Sequence, residues 1–250
     1  MLRAENLSKA FGALQVTRNV SLEIPAGARH AIIGPNGAGK TTLFNLLAGE
    51  LAPDAGAILI EDRDITRLPP NRRARLGLAR SFQKNNLFPR QSVRENLLLA
   101  DIAARGYGYH FWPRLATRRD AYQKAETIAG QIGLIDDMAR GVAELSYGAQ
   151  RQLEVGLALM AEPKVLLLDE PTSGMSPEET GRMLRLIDDL PRSLTVLMIE
   201  HDMDLVFTHA DRITVLNYGE VLMQGTPEEV QRSDAVQETY LGGETQGEAQ

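Results

Sequence analysis

The sequence predicts an α/β fold: a mainly parallel sheet covered by helices on both faces, an antiparallel β layer beside it, and a helical subdomain inserted between core strands. Three observations predict it. The apolar runs HAIIG at 30–34 and KVLLLDEP at 164–171 each pass through a loop into a helix-patterned segment, and strands alternating with helices imply a parallel sheet. The early stretches LRAENLSKAFG, QVTRNVSLEI and GAILIEDRDI alternate apolar and polar residues over short spans, as half-buried antiparallel strands do. From about Leu87 to Leu159 the pattern becomes mostly helical. The expected organisation is therefore a core with its β layer at 1–86 and 160–241, a helical subdomain at 87–159, and a polar, flexible tail, GGETQGEAQ, at 242–250.

Each element has a local reason. TTLFNLLA has helical apolar spacing and a glycine stop at Gly49. In SGMSPEETGRMLRLIDDL, Ser176 is placed as a helix N-cap, Pro177 sits at the first helical position, and Glu179 follows three residues after the cap. LTVLMIEHD reads as a further core strand. RITVLNYGEVLMQG reads as a hairpin turning at Tyr218–Gly219.

Composition narrows the function. A chain of 250 residues with 43% hydrophobic content suits one large α/β domain, or a core with a subdomain. There is no cysteine, hence no disulfide framework and no thiolate zinc site. Runs such as VLLL at 165–168 are far too short to cross a bilayer, and the N-terminus lacks the apolar stretch of a secretory signal, so a cytosolic location is expected. A net charge of −6 argues weakly against a DNA-binding surface, which needs clustered cations.

The segment GPNGAGKTT at 34–42 fits the phosphate-loop pattern G-x-x-x-x-G-K-S/T, between a predicted strand and a predicted helix. Gly34, Gly37 and Gly39 let the backbone curl so that successive N–H groups point inward, with Pro35, Asn36 and Ala38 completing the loop. The helix that follows adds its positive end. Lys40 reaches the β- and γ-phosphates as a point charge. Thr41 offers a hydroxyl to Mg²⁺, and Thr42 follows it. Downstream, VLLLDEP ends a buried strand with Asp169 and Glu170 adjacent. As the chain turns there, Asp169 would hold Mg²⁺ through its water shell and Glu170 would polarise an attacking water. In LSYGAQRQLE at 145–154, Ser146 offers a hydroxyl at a helix start and Gly148 permits close backbone approach, as if to hold an anion. A plain N-cap role for Ser146 is compatible with this.

The phosphate loop, the DEP-ended strand and LSYGAQ together resemble the ATP-binding cassette (ABC) family, over nearly the whole chain. The resemblance implies a P-loop NTPase (RecA-like) core that uses ATP and Mg²⁺. It also implies two cassettes packed head to tail, each presenting its serine–glycine stretch to ATP on the other's phosphate loop. By the same resemblance Gln83, in RSFQKNNLF, matches the Q-loop residue that contacts Mg²⁺ or the water. His201, in MIEHD, matches the switch histidine that reaches the γ-phosphate. Phe11, in KAFG, matches the aromatic that stacks on adenine, with Val16 grouped beside it. Ser173, Gly174, Met175 and Ser176 match the D-loop of the dimer interface. The implied catalytic set is Glu170, His201 and Gln83, and the implied metal set is Thr41, Gln83 and Asp169.

Departures accompany the resemblance. Tyr147 stands where many cassettes have glycine, Ala149 where they have glutamine, and Met175–Ser176 where they have Leu-Asp. The last bears on the usual aspartate contact across the dimer, and not on ATP binding in the chain's own loop. The opening FGALQVTRNVS, FQKNNLFPRQSVRENLLLA, LSYGAQRQLE, IEHDMDLVF and the ending TYLGG are similar to ATP-binding subunits of branched-chain amino acid importers, the larger of the two subunit types. The insert at 101–125 carries Tyr107, Tyr109, Phe111 and Trp112, expected to pack onto the helical subdomain in preference to contacting a permease. The implied partners are a second cassette, transmembrane permeases and, indirectly, a solute-binding protein. No nucleic acid is expected, and the implied place is the cytoplasmic face of the inner membrane. A lipopolysaccharide-export ATPase is the nearest alternative. A soluble cassette ATPase acting on nucleic acid or ribosomes fits less well, since there is one cassette, no sustained heptads and no cysteine. A nucleotide switch without turnover fits poorly with Asp169, Glu170 and His201.

Overall fold

The computed structural model describes residues 1–81, 87–105 and 119–241. Gln83, the aromatics Tyr107, Tyr109, Phe111 and Trp112, and the tail at 242–250 lie outside the described residues. In chain order, β1 (Leu2–Phe11), β2 (Leu14–Ile24), β3 (Arg29–Ile33), α1 (Lys40–Ala48), β4 (Ala55–Ile60), β5 (Arg63–Asp64), α2 (Pro70–Arg75) and β6 (Leu78–Arg80) come first. The helices α3 (Val93–Arg105), α4 (Arg119–Gln131) and α5 (Tyr147–Leu159) follow. Then come β7 (Val165–Asp169), α6 (Pro177–Asp189), β8 (Thr195–Ile199) and α7 (Met203–His209). β9 (Arg212–Asn217), β10 (Glu220–Gly225), α8 (Pro227–Gln231) and α9 (Asp234–Leu241) close the described chain. The described residues divide into two units: Met1–Arg73 with Leu167–Glu170 and 192–241, and those of Ala74–Leu166 with Pro171–Pro191.

The first unit holds both sheets foreseen for the core. The antiparallel layer runs β2-β1-β4-β5. Leu2 pairs with Ile24 on one side and Ile60 on the other, which puts Leu2, Ala4, Leu22, Ile24, Ile58 and Ile60 in one buried set. Of the other sheet, which is six-stranded, this unit carries β10, β9, β3, β8 and the end of β7 in that order, with β3 parallel to both β8 and β9. β3, β7 and β8 are buried at every residue, and each carries an apolar run, at 31–33, 165–168 and 196–199, beside buried polar residues at its ends. The β9–β10 hairpin turns at Tyr218–Gly219, both at positive φ, as a two-residue primed turn requires. The Glu170 N–H donates to Ile199 O at 3.0 Å, so the carboxyl ends of β7 and β8 meet at one edge.

The second unit is mainly helical. α3, α4 and α5 bury Leu97, Leu98, Ala125, Ala129, Leu153 and Val155. A methyl group on Gly156 would meet Ile132 Cδ1 at 2.6 Å, so the end of the Ile132 side chain fills the space that the glycine leaves. β6 was not legible in the sequence. Its three residues carry no periodicity, and it is fixed by Lys164 and Val165 N–H groups donating to Gly77 O at 2.8 and 2.9 Å. α6 begins with a full capping box, Ser176 with Glu179, and buries Met183, Leu184, Leu186 and Ile187.

Candidate functional site

The phosphate loop leaves the end of β3 and enters α1. Gly37 and Gly39 have φ of 81° and 97°, the left-handed region that the sequence reserves for glycine. A side chain at Gly34 would strike Leu216 O at 2.2 Å, and one at Gly39 would strike Val16 O at 2.7 Å. The β9–β10 turn closes the same cradle, with the Gly219 N–H donating to Ala38 O at 3.1 Å. Lys40 folds back across the loop and donates to Gly34 O at 2.6 Å and Pro35 O at 3.0 Å. Burial pulls its pKa down, while the nearby Glu170 charge pulls it up. Asn36, Gly37 and Thr41 are exposed, whereas Ala38, Gly39 and Lys40 are buried. The geometry is a curled backbone with one folded-in cation at a helix N-terminus, which suits a polyphosphate.

The other end of α1 is held by a residue that the sequence did not single out. Arg73, 1% exposed, donates to Leu46 O and Leu47 O at 2.7 Å each, and to Leu68 O and Thr66 O at 2.8 Å each. It thus places a cation at the negative end of the helix whose positive end carries the phosphate loop. Burial lowers its pKa to about 10, against the opposing pull of Asp64.

At the edge where β7 and β8 end, Asp169 is buried and Glu170 half-buried. Glu170 has φ 48°, a strained left-handed conformation for a residue that precedes proline. Glu170 Oε1 lies 2.6 Å from His201 Nε2, so the expected water-polarising carboxylate and the expected switch histidine meet directly. Among the described residues no group of three or more His, Asp or Glu gathers as a ready-made metal cage. The Thr41 hydroxyl and the Asp169 carboxylate offer two oxygens. Such a donor set fits Mg²⁺, which keeps water and takes further oxygens from phosphate.

Phe11, 48% exposed, ends β1 and pairs with Leu14 across the hairpin. Lys9 Nζ stands 5.9 Å from its ring centroid and also pairs with Asp54 at 2.8 Å. An exposed ring of this kind can stack on a base. Val16 joins the loop through its backbone at Gly39 and Gly219.

Ser146 and Gly148 lie in the second unit. Ser146 caps α5, accepting from the Ala149 N–H at 3.2 Å. Its hydroxyl donates to Glu179 Oε1 at 2.9 Å, and the Gly148 N–H donates to the same oxygen at 3.0 Å. Glu179 Oε2 accepts from the Ser176 N–H and hydroxyl, each at 3.1 Å. These hydrogen bonds, Ser176's backbone first, hold the carboxyl pKa at about 2. Tyr147 OH donates to Ser173 O at 3.3 Å and accepts from Arg151 Nε at 3.0 Å. The structure therefore brings Val16, the phosphate loop, Asp169, Glu170 and His201 together in one unit, and builds a separate anion seat in the other.

A glycine cradle between a buried strand and a helix, with an acidic strand end and a histidine on the same sheet edge, defines a P-loop nucleotide-binding protein. A family model described as ABC transporter matches residues 17–173, and one described as branched-chain amino acid ATP-binding cassette transporter matches 220–245. The high-affinity branched-chain amino acid transport ATP-binding protein LivG of Escherichia coli (strain K12) is 40% identical over 250 residues, covering 97% of this chain and 98% of that protein. BraF of Pseudomonas aeruginosa, named for the same transport role, is 37% identical over 97% of this chain and 98% of its own length. The crystal structure of the ADP conformation of an ATP-binding cassette of an ABC transporter matches with a TM-score of 0.84 at 32% identity, over 97% of this chain and 98% of that one. The chain belongs to the ABC transporter family of ATP-binding proteins.

Proposed function

We propose that the chain is the ATP-hydrolysing subunit of an importer for branched-chain amino acids or a similar small polar solute. The observation that carries this reading is the shared edge on which the phosphate loop, Asp169, Glu170 and His201 converge. Lys40 and the loop N–H groups bind the phosphates, Phe11 stacks on the base, and Glu170 polarises the attacking water beside His201. Thr41, Asp169 and Gln83 would hold Mg²⁺, which when bound neutralises phosphate charge. The relatives' names and the match at 220–245 favour the branched-chain type over a lipopolysaccharide exporter.

The catalytic centre is split between two cassettes. Ser146 and Gly148 of one chain serve ATP held by the phosphate loop of its partner, so nucleotide affinity and pairing are thermodynamically linked. Hydrolysis separates the pair, and the helical segment passes the motion to permeases at the cytoplasmic face of the membrane. No described helix is long and apolar enough to cross a membrane itself.

The experiment is co-purification of the chain with membrane permeases from its own cells, followed by an ATPase assay of that assembly with a solute-binding protein and leucine, isoleucine or valine. Solute-stimulated turnover by the assembly is expected. A verified monomer that hydrolyses ATP at the full rate of the assembly, with Ser146 and Gly148 dispensable, would overturn the split centre. Co-purification with nucleic acid in place of permeases would overturn the transport role.

A further inference from the structure

Ser146 and Gly148 have two hydrogens to give: one on the hydroxyl, one on the amide. Both are spent on Glu179 Oε1, at 2.9 and 3.0 Å. The bond that Ser146 Oγ accepts from the Ala149 N–H uses a lone pair and leaves its hydrogen where it is. A carboxylate oxygen thus occupies the place where the proposed function puts an oxygen of the partner's γ-phosphate, with the same sign of charge and charge-assisted donors. Both anions cannot use these donors together, because each donor has one hydrogen and like charges a few ångströms apart repel.

The same carboxylate is a mechanical tie. Oε1 holds the first turn of α5, while Oε2 holds the N-terminus of α6 through Ser176. Tyr147 adds a second tie from α5 to Ser173. Tyr147 and Ser176 are two of the positions at which this chain departs from the common cassette pattern. Here both belong to one network that joins the serine–glycine stretch to the D-loop.

We propose that Glu179 is an internal competing anion, which fills the Ser146–Gly148 seat in the unpaired chain and is displaced from it by the partner's γ-phosphate. The proposal rests on the reading of that seat given above. Its consequence is twofold. Pairing requires more nucleotide than an empty seat would need, and filling the seat releases the tie between α5 and the start of α6.

The test uses the assembled transporter with its permeases and second cassette, and Mg-ATP. Glu179→Gln keeps an oxygen that can accept the Ser176 N–H, so the α6 cap survives, but the competing charge is gone. The ATP concentration for half-maximal hydrolysis should fall about tenfold, with a smaller change in maximal rate. Glu179→Asp, one methylene short of Ser146, should move it the same way by a smaller factor. An unchanged or raised half-saturation in Glu179→Gln overturns the proposal, since a residue that merely positioned the Ser146 hydroxyl would raise it when neutralised. Ser146→Ala distinguishes this from failure of the underlying reading. That variant should raise half-saturation and lower the rate. If it hydrolyses ATP like the parent, the seat itself is misassigned, and the competition proposed for Glu179 falls with it.

Discussion

Glu170 Oε1 and His201 Nε2 lie 2.6 Å apart, brought together by the ends of two neighbouring buried strands. One short contact joins a carboxylate that can take a proton to an imidazole that can give one. Replacing Glu170 by Gln keeps an oxygen for Nε2 yet removes the basicity. Nucleotide binding should stay within about twofold, while hydrolysis by the assembled complex falls about a hundredfold or more. Titration with a fluorescent nucleotide and a phosphate-release assay measure the two quantities. Full turnover by this variant would remove Glu170 from the chemistry.

Lys40 gives the second prediction. Its ammonium lies against the carbonyls of Gly34 and Pro35, a position from which it can swing to phosphate. Lys40→Ala removes the loop's one buried side-chain cation. Truncating one member of a desolvated charge pair costs about 2–5 kcal/mol, so the ATP dissociation constant should rise about a hundredfold. Calorimetry on the purified chain reads this directly. Wild-type affinity would mean that the backbone cradle alone does the binding.

Local signals in the sequence reached parts of both units. The glycine spacing, the VLLLDEP run, the Ser176–Pro177–Glu179 cap and the Tyr218–Gly219 turn each act over a few residues, so each was readable. What stayed hidden is tertiary. Glu179 was legible as a capping residue, but its reach to Ser146 spans 33 positions that no local pattern connects. Arg73 sits in PNRRAR among other arginines, and nothing in that run says which one turns inward. Tyr147 stands out in the sequence only as a departure from a pattern, because its hydroxyl's partner, Ser173 O, lies 26 positions away. Nothing local marks His30, yet it lies 1% exposed within β3 against Thr214.

That histidine gives the third prediction. Burial, aided by the Arg212 charge, lowers the His30 pKa from 6.5 to about 4. A folded-state value below the unfolded one means that folding disfavours the charged ring. The stability held above pH 6.5 is therefore lost as pH falls from 6.5 towards about 4. A gap of roughly 2.5 units corresponds to an upper bound of about 3 kcal/mol. Urea midpoints at pH 7 and pH 4.5 should drop less in His30→Gln, which cannot charge, than in the parent. Parallel slopes for the two proteins would show that His30 does not carry the acid sensitivity.

Arg73 supplies the last prediction, because it couples stability to a site that it never touches. Its guanidinium satisfies four carbonyls, two of them from the final turn of α1, and it is nearly sealed from water. Arg73→Ala removes every one of those donors and leaves a cavity, a loss of about 3 kcal/mol. Arg73→Lys restores the charge but not the planar fork, so it should recover less than half of that loss. Because α1 presents the phosphate loop at its other end, loosening its last turn should also weaken nucleotide binding, by a few-fold. Urea midpoints measure the first effect, and nucleotide titration well below the midpoint measures the second. If Arg73→Ala were destabilised as expected but bound ATP with parental affinity, the loop would be rigid without its helix anchor. Arg73 would then be a residue of folding alone.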